Sequence, residues 1–437
     1  MRLAGRKRAI VLIDGEHHPA AVSDALGELS VDQDIVAVVF CGGSEKVAAP
    51  ALADPDQHYG YPVIQAEDAM AGLQDAIERS VAEVVVDFAD EPIVPLDQKL
   101  RLASLALAAG LEYDAPGMYL TPQRKFDSGF SGPKLSVIGT GKRTGKTAVC
   151  GHLATLLKAR GESPVIVSMG RGGPAVPQTA DPNVGLEDLI AMVRRGGHAA
   201  SDYLEDAVLA GVPSVGCRRV GGGPAGDAAF TNFEAGVGMA KCVPGVTALL
   251  FEGSGSTVPP VRSDRTICIV GNAAQADQLA GPLRLVQSQL TLVPAGDAEA
   301  LEAANRWSSG IVAEFTLIPT LVKEVPDTAR LAFFSTGDHP LDGHEPVVRS
   351  ANLARRDALE QDLAEAKREG CTHYATELKA AAIDVVAMAA KREGVELIFV
   401  RNRPSGVGAQ LDEILLTVFD QAAGAESTDD RAERHFS

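Results

Sequence analysis

The segment Gly139-Thr-Gly-Lys-Arg-Thr-Gly-Lys-Thr147 carries the plainest chemistry in the chain. Its glycines let the backbone fold around an anion, so that N–H groups from Gly139, Thr140, Gly141, Thr144 and Gly145 would face phosphate oxygens. A helix starting at Lys146 adds its positive end. Lys146 would reach the β- and γ-phosphates of a nucleotide, and the Thr147 hydroxyl would ligate Mg²⁺. Lys142 and Arg143 place two more cations where a phosphoryl group would transfer. The usual spacing of this P-loop motif asks for glycine at position 140, where this chain has threonine.

Other residues suit the same chemistry. Glu252 closes the apolar run Ala248-Leu-Leu-Phe251 and precedes Gly-Ser-Gly-Ser. A carboxylate at the end of a second sheet strand can hold Mg²⁺ beside the phosphates. Asp181, in Gln-Thr-Ala-Asp-Pro, is expected either in the metal's outer shell or as a turn residue. Two glycine-rich loops read as anion sites: Met169-Gly-Arg-Gly-Gly-Pro174, with Arg171, Gly172 and Gly173, and Gly216-Cys-Arg-Arg-Val-Gly-Gly-Gly-Pro224, with Arg218, Arg219, Gly222 and Gly223. Guanidinium forks grip phosphate or carboxylate, and glycines admit close backbone approach. Asp14-Gly-Glu-His-His-Pro19 could orient substrate or move protons through Asp14, His17 and His18, or be a hydrogen-bonded turn. Adjacent histidines point apart, which argues against a metal pair. Lys125 and Arg401-Asn-Arg-Pro404 are further basic candidates, Asp202 to Asp206 are expected at the surface, and Cys217 suggests no thiol chemistry.

An α/β fold positions these residues. Short apolar runs (Ala9–Ile13, Asp34–Phe40, Pro62–Gln65, Glu83–Phe88) alternate with helical spacing at 21–29, 69–79 and 98–110. That alternation predicts an N-terminal Rossmann-like parallel-sheet domain over residues 1–128, with 113–124 reading as a linker. A P-loop NTPase domain over 129–421 follows. Its strand Leu135–Ile138 runs into the glycine loop, and a helix from Lys146 to about Ala159 buries Val149, Leu153 and Leu156. Further strands are expected at Pro164–Met169, Thr247–Glu252, Thr266–Val270, Thr291–Val293, Ile311–Ile318 and Leu331–Ser335. After Val348 a charged helix or helix pair through Arg392 and a strand at Leu397–Val400 form a C-terminal extension. Residues 422–437 read as a disordered tail.

Composition narrows the partners. Hydrophobic residues make up 46% and aromatics only 5%, an aliphatic core suited to buried parallel sheets. The net charge of −18 argues against nucleic acid and anionic membranes as partners, while leaving room for an anionic substrate in local basic loops. Six scattered cysteines without a Cys-x-x-Cys pair, and no run long enough for a leader or membrane helix, suggest a cytoplasmic protein with reduced thiols.

The stretches VLIDGEHHP, GTGKRTGKTAV, VSMGRGGP, SDYLEDA, GCRRVGGGPAG and THYATELKAAAIDVV together resemble the archaeal and bacterial cyclic 2,3-diphosphoglycerate synthetase family, from Val11 to Val386. The cradle itself is similar to that of dethiobiotin synthetase-like enzymes. The family resemblance implies an ATP- and Mg²⁺-dependent closure of 2,3-bisphosphoglycerate, a small-molecule phosphoglycerate substrate, with release of ADP and phosphate. The same residues would also serve a kinase making 2,3-bisphosphoglycerate from 2-phosphoglycerate, or a nucleotide-switched binding protein. ATP over GTP rests on the likeness. Lys142 resembles the second lysine of partition-type ATPases, which reaches across a dimer, so a homo-oligomer stays open.

Overall fold

In the computed structural model, residues 6–43, 46, 54–197, 199–277, 281–408 and 410–432 are described. The N-terminal sheet uses β1 (Lys7–Ile13), β2 (Gln33–Phe40), β3 (Val63–Gln65), β4 (Val84–Asp87), β5 (Glu112–Ala115) and β6 (Met118–Leu120), in the order β3-β2-β1-β4-β5-β6. Its neighbours run parallel except β5 and β6. β1 is central, so both faces are covered: Ile10 and Leu12 enter one core cluster, Ala9, Val11 and Ile13 the other. That two-sided burial explains an unbroken apolar run. The expected linker at 113–124 is corrected here, because residues 113–120 form most of the β5/β6 hairpin around Gly117, whose φ is 78°. Its Pro, Gly and Thr residues are turn chemistry at a sheet edge.

Among the described residues the second sheet has 13 strands. They are β7 (Lys134–Gly139), β8 (Pro164–Gly170), β9 (Gln178–Ala180), β10 (Ser214–Val220), β11 (Phe230–Thr231), β12 (Ala248–Glu252), β13 (Arg265–Ile269), β14 (Leu290–Pro294), β15 (Ile311–Leu321), β16 (Leu331–Phe334), β17 (Val348–Ser350), β18 (His373–Glu377) and β19 (Glu396–Gly406). The order is β11-β10-β8-β12-β7-β13-β14-β15-β19-β18-β16-β17, with β9 paired to β10. In sheet order, β10-β8-β12-β7-β13-β14-β15 run parallel, as do β19-β18-β16-β17, and the two halves meet at an antiparallel seam between β15 and β19. There Phe315 pairs with Gly406 and Leu321 with Val400. The C-terminal extension is therefore a second parallel unit of the same sheet. β18 lies inside the span read as a helix pair; its sequence, HYATE, shows no apolar run, though four of its five residues are buried.

Helix Lys146–Ala159 covers β7 through Val149, Cys150, Leu153, Ala154 and Leu157, while Leu156 is only partly buried at the edge of that cluster. Gly161, at φ 88°, closes the helix, its N–H donating to the Lys158 carbonyl. Helix Leu411–Ala432 packs Leu411, Leu415, Val418, Phe419 and Ala422 on the same core. A tail beginning at 422 is thus corrected: Ala422 is a core contact of a helix running on to Ala432, and residues 433–437 lie outside the described residues. Among the described residues no helix is long and apolar enough to cross a membrane.

Candidate functional site

β7 lies between β12 and β13, so the glycine loop leaves the sheet where neighbouring strand ends can face it. Register places Glu252 of β12 beside Val137 of β7 and Ser168 of β8. The Thr147 hydroxyl, in the first turn of its helix, donates to Glu252 Oε1 at 2.5 Å, and the Ser168 hydroxyl donates to Oε2 at 3.2 Å. Lys146 is buried; its ammonium donates to the Gly141 carbonyl at 2.8 Å and to Thr144 Oγ1 at 3.3 Å. Burial pulls the ammonium below the usual lysine value, and the Glu252 charge opposes that pull.

The loop conformation is set residue by residue. Gly145 sits at φ 99°, and a Cβ on Gly139 would lie 2.5 Å from Thr144 Oγ1 and 3.2 Å from Lys146 Nζ. Arg143, exposed at the loop crown, is held at φ 62°, a left-handed conformation that costs a non-glycine residue about 1–3 kcal/mol. Thr140, where the common motif has glycine, ties the loop to the next strand end: its hydroxyl accepts from the Gly271 N–H at 3.0 Å and donates to Gln275 Oε1 at 3.3 Å. Lys142 is exposed.

Thr147 and Glu252 suit Mg²⁺, which takes hard oxygen donors and keeps phosphates and water as its remaining ligands. Among the described residues no cluster of three or more His, Cys, Asp or Glu could hold a metal ion. Glu252 is pushed up to about 8, first by burial and then by the charge of Asp202. A cation would relieve that strain. Among the described residues no hydrogen bond or ion pair joins Asp181 to this pair. It is exposed, and its carboxylate accepts from the backbone and side-chain amides of Asn183, a turn role.

Arg218 and Arg219 lie at the end of β10 and point apart, so the expected arginine loop is in part a strand. Arg219 is buried, donating to the carbonyls of Gly221 at 2.7 Å and Ser254 at 2.8 Å. Among the described residues its Nε has no hydrogen-bond partner. A Cβ on Gly255 would stand 3.1 Å from Arg171 Nη2 and 3.3 Å from Arg219 Nη2, so two guanidiniums flank that glycine with no carboxylate paired to either among the described residues. Such a pair has the chemistry to take an anion. Arg218 instead donates to the Gly173 carbonyl at 3.0 Å and braces the Arg171 loop. A Cβ on Gly173 would strike the Cys217 carbonyl at 2.0 Å, which explains that glycine. Gly172 is exposed; Gly222, close to Thr257 and Arg219, and Gly223 lie on the loop after β10. Arg284, fully buried, donates to the Ser256 carbonyl at 2.8 Å and fixes the loop after β12. Burial pushes the Cys217 thiol up to about 12, leaving it inert.

Three family matches divide nearly the whole chain. Residues 8–121 match the cyclic 2,3-diphosphoglycerate synthetase N-terminal domain, 134–320 its P-loop domain and 343–403 its C-terminal domain. The chain belongs to the cyclic 2,3-diphosphoglycerate synthetase family. Enzymes of that name from Rubrobacter xylanophilus and Thermococcus gammatolerans are 38% and 36% identical, each over 97% of this chain and 99% of the relative. The Methanothermus fervidus enzyme is 30% identical over 95% and 97%. Among solved structures, LpxK from Aquifex aeolicus in complex with ATP overlays 68% of this chain and 90% of its own at 14% identity, with a TM-score of 0.38, too remote to bear on the site. Family membership makes this chain an enzyme with a P-loop nucleotide-binding domain.

Within this family member, the N-terminal loop builds a turn. Asp14 is buried and accepts the N–H groups of Glu16 at 2.9 Å, His17 at 3.2 Å and Asp90 at 2.7 Å. His17 Nδ1 lies 2.9 Å from the same carboxylate, whereas the His18 ring caps helix Pro19–Asp32. Among the described residues no contact brings these three to the cradle. The domain's role is visible elsewhere: Leu107 packs on Ala225 and Leu283, and Arg101 pairs with Asp277 at 2.8 Å, so it buttresses the loops after β10 and β13.

Sequence reasoning missed the acids of helix Asp202–Ala210. Glu205 and Asp206 are buried, correcting their expected surface position. Asp206 is held well above the carboxylate range by burial and then by the Glu252 charge, and neither of its oxygens meets a donor. Glu205 is pushed up to about 7 by burial, with Lys379 opposing. The signal was present: Tyr203, Asp206, Ala207 and Ala210 form one helical stripe, and Asp206 occupies a core position in it.

Proposed function

We propose that this site closes 2,3-bisphosphoglycerate to cyclic 2,3-diphosphoglycerate with ATP and Mg²⁺, releasing ADP and phosphate. The observation that carries the reading is the phosphate cradle with buried Lys146 and the Thr147–Glu252 pair, set in the same domain as the unpaired Arg171–Arg219 seat. The relatives' name gives the product. The substrate carries roughly −4 to −5 charge, counting about −1.5 to −2 per phosphate and one carboxylate. Holding it beside a triphosphate is chiefly a problem of positioning and charge neutralisation.

In the proposed sequence, an oxygen of one substrate phosphate attacks the γ-phosphorus of ATP, and the bond to ADP breaks. An oxygen of the other phosphate then attacks the phosphorus so activated. Inorganic phosphate leaves, and an internal phosphoanhydride closes. Both nucleophiles are already ionised at neutral pH, so no strong base is needed. Bound Mg²⁺ would neutralise phosphate oxygens beside Thr147 and Glu252. Lys146 steadies the β- and γ-oxygens, Arg143 and Lys142 at the loop crown face the transferring group, and Arg171 with Arg219 grips the substrate. Arg218, Gly172, Gly173, Gly222 and Gly223 shape that grip.

Phosphorus NMR with Mg²⁺-ATP and candidate phosphoglycerates tests the reaction. The expected result is ADP, phosphate and a ring-closed anhydride from 2,3-bisphosphoglycerate. ADP with 2-phosphoglycerate and no ring product would make the enzyme a kinase instead. ADP release indifferent to phosphoglycerates would leave only a nucleotide switch.

Arg219→Ala removes a charge-assisted contact of about 1.5–3 kcal/mol, so kcat/KM for the bisphosphoglycerate should fall roughly 10- to 150-fold. ATP affinity should barely move, because the cradle is another loop. Arg219→Lys should recover only part, keeping charge and losing the planar fork. Steady-state kinetics beside calorimetric ATP titration reads both; equal losses in the two would place Arg219 on the nucleotide.

A further inference from the structure

The two parallel halves of the large sheet face each other. β15 pairs with β14 only up to Phe315 and then runs on to Leu321; β19 pairs with β18 up to Val400 and returns along β15 to Gly406. The carboxyl ends of both halves therefore open onto the same seam, separated by the six residue steps from Phe315 to Leu321, roughly 20 Å of strand. Open parallel sheets bind ligands at their carboxyl ends. The cradle occupies one wall of the seam. The other wall has no assigned role.

On that other wall the chain after β18 reads Leu378-Lys379-Ala380, and it is built with unusual backbone. Ala380 sits at φ 47°, where an alanine is strained, and residues Ala382–Ala387 form a π-helix, a rare element that recurs at functional sites. The surroundings fix this turn. Leu378, Ile383 and Ala387 share a buried cluster with Leu189, Tyr203 and Leu204 from the cradle's half. Glu377 is anchored as well, its Oε2 accepting from the Thr336 N–H and hydroxyl, both at 2.8 Å, and its Oε1 from Asn402 at 2.6 Å.

Lys379 is thereby carried to the helix whose Asp206 adjoins Glu252. Its one ion pair among the described residues is a loose one, 3.5 Å to Glu205, and its side chain keeps 37% exposure. An ammonium ringed by buried acids stays charged, and a long contact leaves donors for an incoming anion.

Resting on the synthetase reading, we propose that Lys379 is a substrate-phosphate ligand: the cation with which the C-terminal half grips the phosphate of 2,3-bisphosphoglycerate farther from the Arg171–Arg219 seat. Ring closure must bring two phosphates of one small molecule together beside a third from ATP, and cations confined to one wall would leave the far phosphate uncompensated. Glu205 parks the ammonium until that phosphate arrives.

The test uses the full-length enzyme as wild type, Lys379→Met and Lys379→Arg. For the methionine variant, kcat/KM for 2,3-bisphosphoglycerate should drop roughly 10- to 150-fold, mostly through KM, with ATP affinity kept and with partial recovery in the arginine variant. In parallel, acetic anhydride labelling of the wild type, mapped by mass spectrometry, should show Lys379 protected by 2,3-bisphosphoglycerate with Mg²⁺-ADP and not by Mg²⁺-ADP alone. That measurement needs no variant to fold. Unchanged kinetics in the methionine variant, a loss shared equally by ATP binding, or labelling indifferent to the bisphosphoglycerate would overturn the assignment while the synthetase reading stands. Wild type that ignores 2,3-bisphosphoglycerate would end both, and that result is read on wild type alone.

Discussion

Lys146→Ala is expected to weaken ATP binding by about 10- to 150-fold, the equivalent of 1.5–3 kcal/mol for a charge-assisted contact. Turnover at saturating ATP should fall further, on the order of 10²–10³, because charge on the γ-phosphoryl oxygens shifts during transfer and a preorganised donor there cannot be replaced by water. The geometry supports a specific role for this residue. Its ammonium donates to the Gly141 carbonyl and Thr144 Oγ1 inside the loop. Gly139→Ala should imitate the loss without removing the charge, since the new methyl group would meet Thr144 Oγ1 and Lys146 Nζ. Calorimetric titration of Mg²⁺-ATP checks both variants. Unchanged affinity in Lys146→Ala would remove the residue from the phosphate site.

What the sequence could reveal depended on how local each signal was. The cradle was legible because a strand, a glycine spacing and a helix start are all encoded within a short stretch, and Glu252 because an acid closing an apolar run must sit at a strand end. The arginine loops were legible as basic and glycine-rich, but their division of labour was not. That Arg219 meets Ser254 and flanks Gly255 together with Arg171, while Arg218 braces Gly173, follows from the order β10-β8-β12, which no local pattern shows. β10 itself was hidden, because Gly216-Cys-Arg-Arg reads as a loop when its partners are unknown. Lys379 was hidden for a related reason: contacts between the two sheet halves carry it against helix Asp202–Ala210, and only the seam of β15 and β19 brings those halves together. Asp206 differs, because the buried stripe of its own helix already places an acid at a core position. The DGEHHP loop was read both as candidate chemistry and as a hydrogen-bonded turn, and in the structure Asp14 and His18 tie down a turn and a helix start.

Glu252→Gln should leave the fold intact, since an amide oxygen can still accept from Thr147, yet turnover at limiting Mg²⁺ should fall by at least the ~10- to 100-fold that losing an outer partner of a metal costs. A second signature lies in the pH dependence of the nucleotide-free enzyme. Glu252 titrates near 4.5 when unperturbed and about 8 in the folded chain. Between those values the folded protein binds a proton that the unfolded chain has released, so stability falls as pH rises through this window. The glutamine variant carries no such proton, and its melting temperature should decline less from pH 5 to 8; Glu205, pushed up to about 7, leaves a residual slope in both proteins. Mg²⁺-ADP should reverse the trend in wild type, because a cation beside Glu252 favours the ionised form that alkaline pH supplies. Its stabilising effect should therefore grow toward pH 8 in wild type and stay nearly flat in the variant. Thermal melts at pH 5 and 8, with and without Mg²⁺-ADP, provide all the comparisons. A variant whose melts parallel wild type throughout and whose turnover survives scarce Mg²⁺ would show that Glu252 is a buried hydrogen-bond acceptor for Thr147 and Ser168 and no partner of the metal.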